Sequence, residues 1–390
     1  GKTMLSEKTI QIVKSTLPLL AQAGPQVTEY FYDRMFSYNP ELKNIFNMTH
    51  QQSGTQQFAL FNALAAYAAN IDNLAVLKGA LARINHKHTS YHILPEHYPI
   101  VGGHLIATLK ELLPEQFTPE VEYAWREAYS LLADVCITEE MALYQTTKKA
   151  PGGWFGTRTF TITEKRMESA QICSFTLTPV DAKPVVAYLP GQYLGIKVTP
   201  ANSDLTQVRQ YSLSQQSNGR NYRISVKKEG LVSNYLHSLA EGDEVEVYPP
   251  AGDFVLREID FPVVLISAGV GQTPMMAMLE TLLSNQHNQP IHYLHACDSE
   301  MQFAFKEYLL KQQQAHASLH CVTWFKDGKG GDFAGLMDVN HIAASLPISK
   351  GDFYLCGPIA FMAMIKEQLL SLGVASERIH YEVFGPHQQL

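Results

Sequence analysis

Apolar and polar positions change their rhythm twice along this chain. Up to about residue 150 the spacing is helical. Ser6 and Glu7 stand at a helix start ahead of Ile10, Ile12 and Val13. Residues 57–70 are alanine-rich and periodic, and 74–88 form another amphipathic stretch. Residues 99–113 and 119–146 predict two further helices. The second has Thr118 as its cap and Pro119 in its first turn, where a missing N–H breaks no helical bond. No strand pattern occurs in this segment, and Ala150-Pro151-Gly152-Gly153 then reads as a linker.

Beyond the linker the period shortens to two. Short β-rich runs at 159–163, 170–177, 193–198, 209–214, 222–227 and 244–247, with turn residues between them, predict a small antiparallel barrel. One helix is expected inside it over 234–239, capped by Ser233. From about Phe261 strand and helix alternate, with strands expected at 263–268, 291–296, 319–325, 352–356 and 379–383. That alternation predicts a doubly wound parallel sheet. The expected organisation is an all-α domain over 1–150, an antiparallel β-barrel over 151–258 and an α/β domain over 259–390.

A length of 390 residues suits two or three domains, and a hydrophobic share of 46% can fill their cores. The net charge of -7, without a Lys/Arg block, argues against nucleic acid or an anionic membrane as partner. Five cysteines (Cys136, Cys173, Cys297, Cys321 and Cys356) are scattered and form no C-x-x-C pair. They read as reduced thiols, neither a disulfide framework nor a zinc site. No apolar run is long enough to span a bilayer and no signal-peptide pattern precedes the first predicted helix, so a cytoplasmic location is expected.

The candidate chemistry starts at Gly269-Val270-Gly271-Gln272-Thr273-Pro274, directly after the apolar run 263–268. Glycine allows a tight turn and close backbone approach. Thr273 is expected to cap the next helix and Pro274 to sit in its first turn. A strand, a bare turn and an open helix N-terminus suit a pyrophosphate. The G-x-G alone is weak and does not extend to G-x-G-x-x-G. It gains weight from Arg209-Gln210-Tyr211-Ser212, from Phe353-Tyr354-Leu355-Cys356-Gly357-Pro358 and from Glu382-Val383-Phe384-Gly385-Pro386.

This set resembles the ferredoxin–NADP reductase superfamily, over about 154–390. The resemblance implies FAD on the barrel and a nicotinamide dinucleotide on the sheet. Arg209 then offers a planar fork to the flavin pyrophosphate. Tyr211 offers a ring face to the isoalloxazine, and Ser212 a hydroxyl near the nitrogen that receives hydride. Gly191-Gln192-Tyr193 supplies another flavin contact, and Val232-Ser233-Asn234 places backbone N–H groups where phosphate can bind. Phe384 shields the flavin face, while Cys356, Gly357 and Pro358 line the nicotinamide site. The acidic run Cys297-Asp298-Ser299-Glu300 favours NADH over NADPH, whose 2′-phosphate wants Arg or Lys.

In the helical segment His88 lies near the end of a predicted helix, a position where histidine often serves only the helix dipole. His86, two positions away, points elsewhere and makes no metal motif with it. More is added by Phe31-Tyr32-Asp33-Arg34-Met35-Phe36, by Asn39-Pro40-Glu41-Leu42-Lys43-Asn44-Ile45-Phe46, by Gln56 and Leu60 one turn apart, by Lys87-His88-Thr89-Ser90, and by Glu140. With the join through Pro151-Gly152-Gly153-Trp154 to a flavin reductase, essentially the whole chain resembles the bacterial flavohaemoglobins.

That resemblance implies an all-α globin domain holding haem b. His88 becomes the proximal iron ligand, with Tyr98 and Glu140 hydrogen-bonded behind it. Tyr32 and Gln56 face iron-bound dioxygen, Leu60 narrows that pocket, and Phe46 packs on the haem edge. The implied activity is nitric oxide dioxygenation by a cytoplasmic monomer: NAD(P)H reduces FAD, electrons pass to haem, and dioxygen oxidises nitric oxide to nitrate. Two alternatives stay open. One is a flavin reductase of ferric, quinone or hydroperoxide substrates with a ligand-binding globin module. The other is a non-enzymatic sensor or oxygen store.

Overall fold

The computed structural model describes residues 4–46, 55–257 and 260–384, and for 55–61 the backbone alone. The chain divides into two compact units: one built on Gly1–Lys149 with Asn202–Arg209, the other on Ala150–Ala201 and Gln210–Phe384.

Helix α1 (Glu7–Ser15) opens at Ser6, whose hydroxyl accepts the Thr9 N–H at 3.1 Å. Helix α2 (Leu17–Tyr38) is followed by α3 (Thr55–Ala69). The single helix expected over 74–88 divides in two. Asn73 lies outside helical φ/ψ, so Leu74–Leu77 closes a tight 3₁₀ turn before α4 (Lys78–Ser90) begins. Helices α5 (His97–Leu112) and α6 (Pro119–Lys149) complete the unit, and the Thr118 hydroxyl accepts the Val121 N–H at 3.3 Å at the start of α6. The described part of 4–149 holds no strand. Val27, Phe31, Met35, Leu105, Leu109 and Trp125 share one core. Burying each such side chain stabilises the fold by about 1.5–3 kcal/mol, and this packing holds helices distant in sequence at fixed positions.

Past the linker β1 (Arg158–Met167), β2 (Ile172–Pro179), β3 (Tyr193–Val198), β4 (Gln207–Ser212), β5 (Tyr222–Lys227) and β6 (Glu244–Ala251) form a sheet of order β4-β3-β6-β1-β2-β5. Its registered pairs are antiparallel. Strand alternation divides β5 cleanly: Tyr222, Ile224 and Val226 fill the barrel core, leaving Arg223 and Ser225 on the other face. Helix α7 covers Leu231–Ser238, three residues earlier than expected. Ser233 is therefore not its cap. Gly230 holds the cap position, and the Ser233 hydroxyl reaches back from the first turn to accept the Glu229 and Gly230 N–H groups at 2.9 and 2.8 Å.

A second sheet carries β7 (Val263–Ala268), β8 (Ile291–Cys297), β9 (Leu319–Phe325), β10 (Phe333–Ala334), β11 (Asp352–Cys356) and β12 (Ile379–Glu382) in the order β10-β9-β8-β7-β11-β12. Every pairing is parallel. Helices α8 (Gln272–Ser284) and α9 (Lys306–Ala315) pack on one face with Ile172 and Phe254 of the barrel region, and α10 (Ile359–Ser371) packs on the other. The chain runs outward from β7 on both sides, to β8 and to β11. That reversal opens a crevice at the strand's C-terminal end, where doubly wound folds bind ligands. Among the described residues no helix is long and apolar enough to cross a membrane.

Candidate functional site

Three helices bring the first cluster together. His88 Nδ1 lies 3.0 Å from Glu140 Oε2 and 3.1 Å from the Tyr98 hydroxyl. The same hydroxyl donates to the Glu140 carboxylate, at 2.9 and 2.8 Å from its two oxygens. Burial and the adjacent Glu140 push the Tyr98 phenol far above its ordinary range, so it stays a donor. A carboxylate only accepts, so the network assigns the imidazole proton to Nδ1 and leaves the Nε2 lone pair open. The Glu140 side chain is 3% exposed and that of His88 34%, so the clamp is sealed while the ring keeps an outward edge. This donor set fits a haem iron held at Nε2.

Tyr32 is 4% exposed, with its ring 6.2 Å from that of Phe46 and 6.0 Å from that of Phe36. Burial alone drives its phenol well above the usual range, so it stays protonated. A protonated donor in an apolar wall can serve a polar ligand. The side chains of Gln56 and Leu60 lie outside the described residues, as do Gly385 and Pro386.

Two residues of this region carry no sequence signal that singles them out. Cys136 is buried, and burial, with Glu140 next in effect, pushes its thiol up to about 12, an inert group behind the cluster. The Tyr129 hydroxyl donates to the Tyr98 carbonyl at 2.5 Å. Its ring occupies the space beside Gly102, where a Cβ would sit 2.3 Å from it. A glycine inside a helical pattern was the available clue to such an approach.

On the barrel, Ser212 is 5% exposed and its Oγ has no partner among the described residues. A buried, uncommitted hydroxyl costs stability unless a ligand or water meets it, and this fits a flavin. Tyr211 packs partly buried against the barrel core, and Arg209 Nη1 donates to Gln207 Oε1 and the Val208 carbonyl, both at 3.1 Å. Tyr193 is buried against Gly252, whose added Cβ would stand 2.9 Å from the ring. The Gln192 amide is spent inside the protein: it accepts from Leu189 N–H at 2.9 Å and donates to the Gly252 carbonyl at 3.0 Å. Val232 and Ser233 are buried, so their backbone N–H groups at the start of α7 are what they can offer.

At the end of β7 Gly269 takes a left-handed φ of +54°. A Cβ on Gly271 would lie 2.2 Å from the Cys356 carbonyl oxygen and 2.7 Å from Gly357 N, so the two glycine motifs touch backbone to backbone. Thr273 does not cap α8: Gly271 holds that position, and Thr273 and Pro274 lie buried in the first turn after Val270 and Gln272. The Gln272 side chain is wholly buried and donates to the Ala304 carbonyl at 2.7 Å. The Cys356 side chain is in the core with Tyr354, which leaves its backbone and that of Gly357 to face the crevice; Pro358 then precedes α10. Phe384 is 38% exposed just after β12.

The family models that match are Globin over residues 29–136, Oxidoreductase FAD-binding domain over 159–256 and Oxidoreductase NAD-binding domain over 265–367. A flavohemoprotein of Vibrio cholerae serotype O1 is 54% identical, the match covering 99% of this chain and 100% of that protein. The chain belongs to the flavohemoprotein family. It is an oxidoreductase with a globin, an FAD-binding and an NAD-binding domain. A flavohemoglobin from Malassezia yamatoensis, solved with bound FAD and heme, superposes with a TM-score of 0.90 at 26% identity, covering 98% of this chain and 100% of that one. The FAD/NAD-binding domain of a nitric oxide dioxygenase from Vibrio cholerae O1 biovar El Tor is 50% identical, with a TM-score of 0.56 over 59% of this chain and all of that one.

Proposed function

We propose that this flavohemoprotein is an NADH-dependent nitric oxide dioxygenase, with haem b, FAD and dinucleotide held by domains at 1–150, 151–258 and 259–390. When bound, these groups supply hydride acceptance, one-electron transfer and dioxygen activation. The chain's own contribution is placement and charge. His88 Nε2 holds the iron, and Glu140 keeps the proton on Nδ1, which raises the basicity of the ligand. Tyr98 completes that clamp. Tyr32 and Gln56 donate toward dioxygen, Leu60 limits the room beside them, and Phe46 packs on the porphyrin edge.

On the reductase side Arg209 takes the flavin pyrophosphate, Gln210, Tyr211 and Tyr193 border the flavin, and Ser212 offers its hydroxyl. The start of α7 at Val232 and Ser233 takes phosphate. The backbone from Gly269 to Pro274 receives the dinucleotide, with Cys356, Gly357 and Pro358 beside it and Phe384, Gly385 and Pro386 bordering the hydride path. The acidic run at 297–300, where Glu300 pairs with Lys306, favours NADH over a dinucleotide that carries a 2′-phosphate. We read the protein as a cytoplasmic monomer, in keeping with five free cysteines.

The observation that carries this reading is the His88–Tyr98–Glu140 cluster, because a simple oxygen store needs neither a basic ligand nor an attached reductase. Nitric oxide consumption by the purified protein should require NADH and dioxygen and yield nitrate. Full consumption by His88→Ala would favour the flavin-reductase alternative, and protein carrying haem but no flavin would favour the sensor.

A further inference from the structure

Arg223 has no place in the motifs described so far, yet it stands where the barrel meets the nucleotide sheet. It projects from the outer face of β5. Its Nε donates to Ser214 Oγ at 3.0 Å and its Nη2 to the Ser214 carbonyl, while the Ser214 N–H donates to the Arg223 carbonyl at 2.8 Å. This closed ring of bonds fixes Ser214, two residues beyond Ser212 in the same extended run, where Leu213 bridges to Ile224. The Ser214 hydroxyl is held from a second side by Ser225 Oγ at 2.8 Å.

On its other side the guanidinium lies 5.5 Å from the ring centroid of Phe305. Phe305 is buried and adopts a left-handed φ of 62° just before α9. A bulky residue in that conformation is strained and persists only when its surroundings hold it. The neighbouring Ala304 carbonyl accepts from Gln272, in the dinucleotide turn. A continuous set of contacts therefore runs from Ser214 through Arg223, Phe305, Ala304 and Gln272 to Gly271. A cavity of about 430 Å³, lined by Arg223, Met276, Glu280 and Phe305 among others, flanks the joint.

We propose that Arg223 is a positioning residue for hydride transfer: it locks the strand end that carries Ser212 to the turn that receives the dinucleotide. The planar fork is essential, since lysine cannot hold a carbonyl and a hydroxyl while lying over a ring. This rests on the NADH-to-FAD reading above, and deepens it by naming what sets the distance between donor and acceptor.

The test uses the holoprotein with Arg223→Met and Arg223→Lys, and Phe305→Leu from the other side of the joint. Flavin reduction at saturating NADH, followed by stopped flow, should slow by about tenfold to a hundredfold in both arginine variants. The isotope effect with NADH deuterated at the transferred position should rise, while the dissociation constant for NADH stays within about twofold, because uniform binding is untouched. Amide exchange without NADH should accelerate at both 212–214 and 303–306, and Phe305→Leu should reproduce that pattern. Unchanged flavin reduction, full rescue by lysine, or exchange that accelerates on one side alone would overturn the proposal. Failure of the unsubstituted protein to reduce its flavin with NADH would instead sink the underlying reading, and the exchange pattern would still decide whether Arg223 is the lock.

Discussion

In the helical unit the candidate site consists of side chains from three helices. His88, Tyr98 and Glu140 are separated by 10, 52 and 42 positions in sequence, and only the packing of α4, α5 and α6 brings them within hydrogen-bond reach. In the nucleotide-binding region the site is chiefly backbone. Gly271 matters there because of what it lacks, since its bare Cα lets the turn lie against Cys356 and Gly357. The first kind of site is tuned by chemistry: on the proposed reading, changing the carboxylate changes the basicity of His88. The second is tuned by clearance, so one added methyl group is the most disruptive change available.

Gly271→Ala should accordingly have the largest effect. Its Cβ meets a backbone carbonyl at 2.2 Å, and a backbone cannot swing aside as a side chain can. Overpacking of this kind costs about 1–3 kcal/mol, and flavin reduction by NADH should be lost while haem content is retained. Thermal unfolding and stopped-flow reduction together check this. Reduction at the unsubstituted rate would mean that the two glycine motifs are not in contact.

Glu140→Gln probes the other side of the comparison. It keeps the shape and an acceptor but removes the charge. Substitutions just behind a metal ligand typically cost about 10–100-fold in affinity or activity, so nitric oxide turnover should fall by that order, with the fold intact by circular dichroism. Equal turnover would show that the carboxylate's charge does not reach the ligand.

Acid separates the regions by a different route. Burial pushes His295 down to about 3, and burial, then the neighbouring His320, pushes His292 down to about 4. Both stay neutral in the folded protein but charge near pH 6.5 once unfolded. The unfolded state then binds more protons, so stability present above pH 6.5 is lost as the pH falls toward those values. At pH 5 the loss is about 2 kcal/mol for each histidine. Amide exchange over β8 should therefore accelerate between pH 7 and pH 5, and His292→Gln should flatten the slope. A pH-independent rate, after correction for intrinsic exchange, would contradict this.

Tyr129→Phe has the smallest expected effect. It frees the Tyr98 carbonyl but leaves the ring in its place beside Gly102. About 1 kcal/mol should be lost, readable as a small fall in unfolding temperature. A loss as large as that of Gly271→Ala would mean that the hydroxyl, more than the ring, organises α5.

The same contrast explains what was legible in the sequence. The parallel strands, the barrel strands at 193–198 and 222–227 and the glycine motifs are local patterns, and they stand in the structure close to where periodicity predicts them. Helix α2 was not named from the pattern, because Gly24 and Pro25 interrupt it; packing of Val27, Phe31 and Met35 carries the helix through the proline. The cap positions failed at Ser233 and Thr273 for one reason. Each helix begins earlier, at a glycine, which has no side chain to bond the first-turn N–H groups. For His88 the residues alone suggested only a helix-end cation. Its partners are a tyrosine and a carboxylate on other helices, and no local window contains all three.

The proposed function requires above all that His88 Nε2, with its Nδ1 proton held by Glu140, bind the haem iron. Absorption spectra of the protein and of His88→Ala, both from cells supplied with haem, test it. The first should show a Soret band and a flavin shoulder, and the second a lost or displaced Soret band beside an unchanged flavin. An identical Soret band in the His88→Ala protein would contradict it.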